Sequence, residues 1–164
     1  MNKIAVYPGS FDPITNGHLE IIKRASMIFD MVIVLVAVNP DKKATFTPEE
    51  RVEMISKVCE DIRNVDVRSY SGLVADFMKE GLYDVIIRGL RTVTDFEVEF
   101  QMAHINKNLY PYAETMFLCA DDETTCVSSS VVKQIARFGG DISDYVPNCI
   151  LDLIETRIKN NKED

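Results

Sequence analysis

No stretch of this sequence is long and apolar enough to cross a bilayer. The longest uninterrupted apolar run is Met31 to Val38, whereas a spanning helix needs about 20 such residues. The first residues lack the shape of a signal peptide, because Lys3 is followed almost at once by a strand and a loop. A cytoplasmic location is therefore the expectation. Cationic side chains are scarce: 18 Lys and Arg stand against 26 Asp and Glu, a formal net charge of −8. This disfavours nonspecific binding to nucleic acid or to an acidic membrane. Cys59, Cys119, Cys126 and Cys149 are widely spaced, with no C-x-x-C pair, which argues against a zinc site and a disulfide framework. Cys59 and Cys149 fall in apolar helical patterns and are expected to be core thiols. There is no Ser-His-Asp grouping, no H-E-x-x-H and no metal-ligand spacing. G-x-G-x-x-G and Walker A loops are absent too. Hydride transfer and P-loop ATP hydrolysis are poor readings of such a chain. No internal repeat or low-complexity segment occurs, and the polar tail from Lys159 to Asp164 is expected to fray.

What is present fits one soluble domain. The 164 residues can bury a real core, and hydrophobic content of 46% with 27% charged residues is ordinary for a globular protein. The organising stretch runs from Tyr7 to His18, Tyr-Pro-Gly-Ser-Phe-Asp-Pro-Ile-Thr-Asn-Gly-His. It follows an apolar run, Lys3 to Tyr7, that reads as a buried strand. It leads into Leu19 to Phe29, where Leu19, Ile22, Ala25 and Phe29 recur at helical spacing. It is thus a strand-to-helix loop ending where a helix offers free N–H groups and its positive dipole end, a natural phosphate site. Ser10 supplies a hydroxyl, His18 a ring in the first turn, and Gly9 and Gly17 allow close backbone approach.

The remaining chain alternates strands and helices. Met31 to Val38 is the second strand, apolar on both faces as in a covered parallel sheet. Thr47-Pro48-Glu49-Glu50 starts a helix with an N-cap, a first-turn proline and a capping box, running to about Asp61 with Val52, Ile55 and Cys59 inward. Val65 to Ser69 is the third strand. Leu73 to Glu80 is a helix stopped by Gly81, and Asp84 to Arg88 is the fourth strand, ended by Arg88. A long helix, Asp95 to Leu109, stops before Tyr110-Pro111. Glu114 to Cys119 is the fifth strand. Ser128-Ser129-Ser130 caps a helix reaching Phe138, closed by Gly139-Gly140, and Pro147 opens a last helix to about Ile158.

This alternation predicts a doubly wound α/β fold with a five-stranded parallel sheet, C-terminal helices and right-handed crossovers. Ligands in such sheets bind beyond the strand C-termini, where the winding reverses. The loops leaving strands one, two, four and five carry Ser10 to His18, Lys42 and Lys43, Arg88 to Arg91, and Thr124 to Ser130. Cations and hydroxyls gather there although the chain is acidic. An order 3-2-1-4-5 brings His18 near Arg88 and Arg91.

Each of these groups also has an ordinary reading. Two loop lysines usually face water; at the end of strand two, Lys42 and Lys43 can follow a phosphoryl group. Arg88, at the end of an apolar strand, needs a carboxylate or a ligand phosphate. Arg91 offers a planar fork to phosphate oxygens, and Asp95 or Glu97 are the alternative partners for these arginines. Glu97 and Glu99 read as a solvated or ion-paired face, with Glu99 also able to accept from a ribose or orient a cation. His104 reads as structural. One Ser before a helix is an N-cap; three in succession make an anion nest, to which Lys133 and Arg137 add charge or simply face water. The chemistry suggested is phosphoryl or nucleotidyl transfer, where positioning and charge stabilisation dominate.

The run Thr15-Asn16-Gly17-His18 resembles the (H/T)xGH motif of the nucleotidyltransferase superfamily. From Ile4 to about Asp152 the chain resembles bacterial phosphopantetheine adenylyltransferases. The matching blocks are the opening loop, Lys42-Lys43 with Phe46-Thr47 and Glu49-Glu50-Arg51, Ile87 to Arg91, Asp95-Phe96-Glu97, and Ser128-Ser129-Ser130 with Val132-Lys133. The resemblance implies a Rossmann-like fold and transfer of the adenylyl group of ATP to 4′-phosphopantetheine, with magnesium accompanying ATP and a homohexamer as the assembly. By position, Ser10, Phe11, His18, Gly89, Leu90, Arg91, Glu99 and Thr124, Thr125, Cys126, Val127, Ser128, Ser129 and Ser130 are implied ATP contacts. Ser10, Lys42, Val74 and Arg88 are implied phosphopantetheine contacts, and His18, Ser10, Lys42 and Arg91 carry catalysis. Relatives commonly have an aromatic, a Ser and another aromatic at Thr124-Thr125-Cys126. Another acceptor such as nicotinamide mononucleotide, a cytidylyl donor, a nucleotide-binding regulator without catalysis, or a redox role for Cys119 and Cys126 are the competing readings.

Overall fold

The computed structural model describes residues 3–40, 43–121 and 128–160. Five strands form one sheet: β1 (Ile4–Gly9), β2 (Met31–Val38), β3 (Val65–Ser71), β4 (Val85–Leu90) and β5 (Glu114–Cys119). Every neighbouring pair is parallel and the order is β3-β2-β1-β4-β5, as the sequence predicts. The connections carry α1 (Asn16–Ile28), α2 (Pro48–Val58), α3 (Val74–Gly81) and α4 (Val93–Leu109). After β5 come α5 (Ser129–Arg137), a 3-10 turn at Asn148–Ile150 and α6 (Leu151–Asn160). None of the described helices is long and apolar enough to cross a membrane.

Strand periodicity sends alternate residues to two cores. Ala5, Tyr7, Val32, Val34, Val36 and Ile87 pack with Ile22 of α1, Ile55 of α2, Val132 of α5 and Ile154 of α6. Val6, Ile33, Leu35 and Ile86 pack on the other face with Ala75, Phe77 and Met78 of α3 and with Tyr110 and Ala113. Each large aliphatic side chain removed from water in these layers contributes about 1.5–3 kcal/mol. The α4 helix differs: it has no buried residue, and Phe96, Val98, Phe100, Met102 and Ile105 are 40–57% exposed.

Several boundaries move for identifiable reasons. α1 begins at Asn16, not near Leu19, because Thr15 is its N-cap and its Oγ1 accepts from the His18 N–H at 3.3 Å. β4 continues through Gly89 and Leu90, so Arg88 sits inside the strand instead of ending it. α4 starts two residues before Asp95, at Val93, because Thr92 caps it. α2 keeps its Thr47–Glu50 capping box but stops at Val58. α3 is not closed by a glycine in the left-handed region; Leu82 takes that conformation, with φ 52°. Pro147 introduces a 3-10 turn before α6. Cys59 is a core thiol at 5% exposure, but Cys149 is exposed, because in that single turn Ile150 is the buried residue.

The segment before α2 is held from α6. Arg157 donates through Nη1 to the Thr45 carbonyl at 3.2 Å, pairs with Glu50, and lies 5.2 Å from the Phe46 ring centroid. At the other end of β1, a Cβ on Gly9 would stand 2.8 Å from the Phe11 ring, which is almost fully buried. Gly9→Ala should therefore cost about 1–3 kcal/mol through overpacking. Urea unfolding checks this; an unchanged midpoint would show that Phe11 moves aside freely.

Candidate active site

The loop between β1 and α1 is mostly buried, and a buried loop must find donors for its carbonyls. Three separate elements supply donors to this loop and to Pro8, at the end of β1. Arg88 Nη1 of β4 donates to the Pro8 carbonyl at 2.6 Å, Arg51 Nη1 of α2 to that of Ser10 at 2.8 Å, and Ser129 Oγ of α5 to that of Pro13 at 2.7 Å. Arg51 is itself only 4% exposed. Phe11 has φ 47°, a conformation unusual for a non-glycine residue. Its ring lies edge-on to Tyr7 and to His18, with centroids 5.4 and 5.0 Å away. The Asp12 carboxylate is 6% exposed. It accepts from the backbone N–H groups of Thr45 and Phe46 and from Lys133 Nζ at 2.6 Å.

A cleft of about 290 Å³ opens above this loop, at the C-terminal ends of β1 and β4. Ser10, Gly17 and His18 form one side, Arg88, Gly89 and Arg91 another, and Ser128 to Ser130 a third. His18 is the third residue of α1, and its Nδ1 accepts from the Thr15 N–H at 3.1 Å. A neutral ring that accepts at Nδ1 carries its proton on Nε2. Burial, and then the charges of Arg91 and Arg88, push the His18 pKa down to about 4. The ring is thus a neutral hydrogen-bond donor at physiological pH. Burial pushes the Tyr7 phenol, also in the cleft, far upward.

The two arginines of the cleft are already engaged. Arg88 makes a two-toothed pair with Glu99, Nε to Oε2 and Nη2 to Oε1, both at 2.5 Å. Arg91 Nε donates to Asp95 Oδ2 at 2.9 Å. Burial raises the Asp95 pKa, but Arg91 outweighs it and the carboxyl ends below its ordinary value. Asp95 is thus the carboxylate expected beside Arg91, whereas Arg88 takes Glu99 in place of Glu97. The serines divide their work. Ser128 Oγ accepts from the Val131 N–H at 3.2 Å as the cap of α5, Ser129 braces the loop, and Ser130 also faces the cleft. A neutral donor, two arginines and two helix N-termini around one cleft suit a ligand with several phosphates.

Comparisons with known proteins agree with this geometry. Residues 6–135 match the Cytidylyltransferase-like family model. A phosphopantetheine adenylyltransferase of Clostridium tetani is 57% identical over 97% of this chain and 99% of its own length. One from Clostridium beijerinckii is 56% identical over 95% and 98%. The chain belongs to the phosphopantetheine adenylyltransferase family. Its fold is shared more widely. A bifunctional NMN adenylyltransferase/ADP ribose pyrophosphatase from Francisella tularensis superposes with a TM-score of 0.71 at 16% identity, over 99% of this chain and 50% of that one. A candidate nicotinate-nucleotide adenylyltransferase from Vibrio parahaemolyticus gives 0.70 at 19% identity, over 94% and 99%.

In this member of the adenylyltransferase family the cleft gathers Ser10, Phe11, His18, Arg88, Gly89, Arg91, Glu99 and the three serines. Leu90 and Val74 do not line it; Val74 packs against the core on the α3 face. Lys42 and Thr124, Thr125, Cys126 and Val127 lie outside the described residues. His104, read as structural, stands edge-on to Phe100 at 4.7 Å between centroids. Two features escaped the sequence reading: the Asp12–Lys133 pair and the buried Arg51. Arg51 had a signal, since it lies four residues before inward-facing Ile55. Asp12 and Lys133 are 121 positions apart, and nothing local joins them.

The His18 geometry has a direct readout. In the free protein the ring should titrate near pH 4, followed through its carbon-bound proton resonances. A midpoint near the ordinary imidazole value of about 6.5 would show that the ring is not held as described.

Proposed function

We propose that this protein transfers the adenylyl group of ATP to 4′-phosphopantetheine, reversibly, giving dephospho-coenzyme A and pyrophosphate in coenzyme A biosynthesis. What carries the reading is the cleft itself, in which a neutral Nε2 donor faces two arginines and two helix N-termini, on a chain with near-full-length relatives of 56–57% identity bearing that activity in their names.

A phosphate oxygen of the acceptor attacks the α-phosphorus of ATP in line. The new O–Pα bond forms as the bond from Pα to the bridging oxygen breaks, and that oxygen leaves with pyrophosphate. Ser10 and Lys42 align the acceptor and donor phosphates. His18 Nε2 donates to the oxygens of the α-phosphate as charge grows on them. Its depressed pKa is suited to this, since the neutral ring keeps its Nε2–H and does not change charge around physiological pH. Arg88 holds the acceptor phosphate with Glu99 fixing its plane, and Arg91 with the α5 N-terminus holds the departing pyrophosphate. No covalent enzyme intermediate is needed.

Among the described residues no group of three or more His, Cys, Asp or Glu side chains could hold a metal. Magnesium enters together with ATP, as the family resemblance implies. The cytoplasm is its place of action. The exposed apolar face of α4 supports assembly of this chain with copies of itself, the homohexamer that the family resemblance implies. Phe100→Asp should then shift the molar mass measured by light scattering toward the monomer. An unchanged mass would remove α4 from the subunit contacts.

Pyrophosphate release tests the reaction. It should require both ATP with magnesium and 4′-phosphopantetheine, and fail with CTP or nicotinamide mononucleotide in their places. His18→Ala should lower kcat by about 10²–10³-fold, the range for losing one oxyanion donor, with ATP binding nearly unchanged. Release with a different substrate pair would overturn the assignment, and near-normal kcat in the variant would remove His18 from catalysis.

A further inference from the structure

Asp12 is the one acidic side chain among the described residues that is buried, yet the proposed chemistry does not use it. It is 6% exposed and buried within the loop that carries Ser10. It gathers three elements at once. From the segment leading into α2 it receives the N–H groups of Thr45, at 3.0 Å, and Phe46, at 2.9 Å. From α5 it receives Lys133 Nζ at 2.6 Å. Beside it, Ser129 donates to the carbonyl of Pro13, so loop and helix are joined by two contacts. Lys133 is itself largely buried, its side chain 20% exposed.

An ion pair this buried is poor evidence of stabilisation, because desolvating both charges offsets most of their attraction. What it does supply is fixed geometry. The loop ends at the N-terminus of α1, which holds His18, and α5 begins with the serine nest. Lys133 lies one turn inside α5, so its bond to Asp12 sets the distance between the two N-termini facing the cleft. Lys133 is also a cation beside a phosphate site, and the obvious role for it is a direct phosphate contact. Its partner argues otherwise: the ammonium is committed to a carboxylate that cannot follow it into the cleft, being pinned by two backbone N–H groups.

We propose that Asp12 and Lys133 form one positioning unit that sets the α5 N-terminus against the Ser10–His18 loop, and that Lys133 acts through Asp12 and not by touching phosphate. The proposal rests on the cleft being a polyphosphate site, as the proposed function requires.

The two roles for Lys133 predict opposite signs for one substitution. If Lys133 is a phosphate ligand restrained by Asp12, Asp12→Asn removes a negative charge, frees the ammonium and strengthens pyrophosphate binding. If the pair positions the two N-termini, Asp12→Asn weakens it. Pyrophosphate binding by calorimetry is the primary measurement, on Asp12→Asn, Lys133→Met, the double variant and Lys133→Arg. We expect about tenfold weaker binding in each of the first two and no further loss in the double variant. Recovery of most of the loss is expected in Lys133→Arg, which keeps a donor for Asp12. In turnover, kcat should fall by up to about 10²-fold, the scale of an ångström-sized misplacement, with the KM for ATP changing less. Tighter binding in Asp12→Asn, additive losses in the double variant, or a kcat per folded molecule equal to wild type would overturn the proposal. A melting curve on each variant sets the folded fraction. If Asp12→Asn does not fold, Asp12→Glu replaces it, keeping the charge and changing the reach: weaker pyrophosphate binding supports the proposal, and binding equal to wild type overturns it. A wild-type protein that binds pyrophosphate but turns over no ATP with phosphopantetheine would sink the proposed reaction and leave this comparison readable.

Discussion

A buried loop has to satisfy its own backbone, and much of the cleft follows from how this one does so. Between β1 and α1 the chain passes beneath the cleft with Phe11 to Thr15 buried. Arg51 and Ser129 donate to two of its carbonyls and Arg88 to that of Pro8, at the end of β1. These donors come from β4, α2 and α5, so meeting the hydrogen-bond requirement of one loop also fixes where three distant elements stand. Arg88 and Ser129 then face the cleft as well. The groups that brace the loop and the groups that line the cleft overlap.

The electrostatics follow the same economy. Among the described residues the arginines of the cleft are paired, Arg88 against Glu99 and Arg91 against Asp95, and beside the cleft Lys133 lies against Asp12. Each carboxylate fixes the plane or reach of its partner before any ligand arrives. A guanidinium bound on one edge by a carboxylate still presents N–H groups on its others, so the pairs orient the arginines without exhausting them. The neutrality of His18 comes from the same neighbourhood, since burial and two nearby guanidinium groups all oppose a proton on its ring.

The fold was largely legible because its signals are local and periodic. Apolar runs at β1, β2 and β4, the Thr47-Pro48-Glu49-Glu50 start and the serine cap of α5 each declare an element within a few residues. The rule placing ligands at the strand C-termini did the rest for Ser10, His18, Arg88 and Arg91. The partners were harder. That Arg88 takes Glu99 and not Glu97 depends on the rotation of α4, which starts at Val93 and shows little periodicity to read. Cys149 looked inward because its neighbours are apolar, but a 3-10 turn does not keep the α-helical phase. The Asp12–Lys133 contact joins segments from the two ends of the fold and leaves no trace in local pattern. The apolar residues Phe96, Val98, Phe100, Met102 and Ile105 are spread over more than one side of α4, and the fold of one chain leaves them exposed.

The grip of Arg157 on Thr45 and Glu50 spans 112 and 107 positions respectively, and it bears on the order in which a growing chain becomes competent. Domains acquire structure as they emerge during synthesis. The first three strands and their helices can pair as soon as they leave the ribosome. The segment before α2, however, meets Lys133's partner Asp12 early and its own clamp only when α6 appears. The loop that carries Ser10 and His18 therefore belongs to the earliest part of the chain, while several of the groups that hold it and the segment before α2, namely Ser129, Lys133 and Arg157, are among the last to be made. A nascent chain would carry the sheet well before it carried a finished cleft.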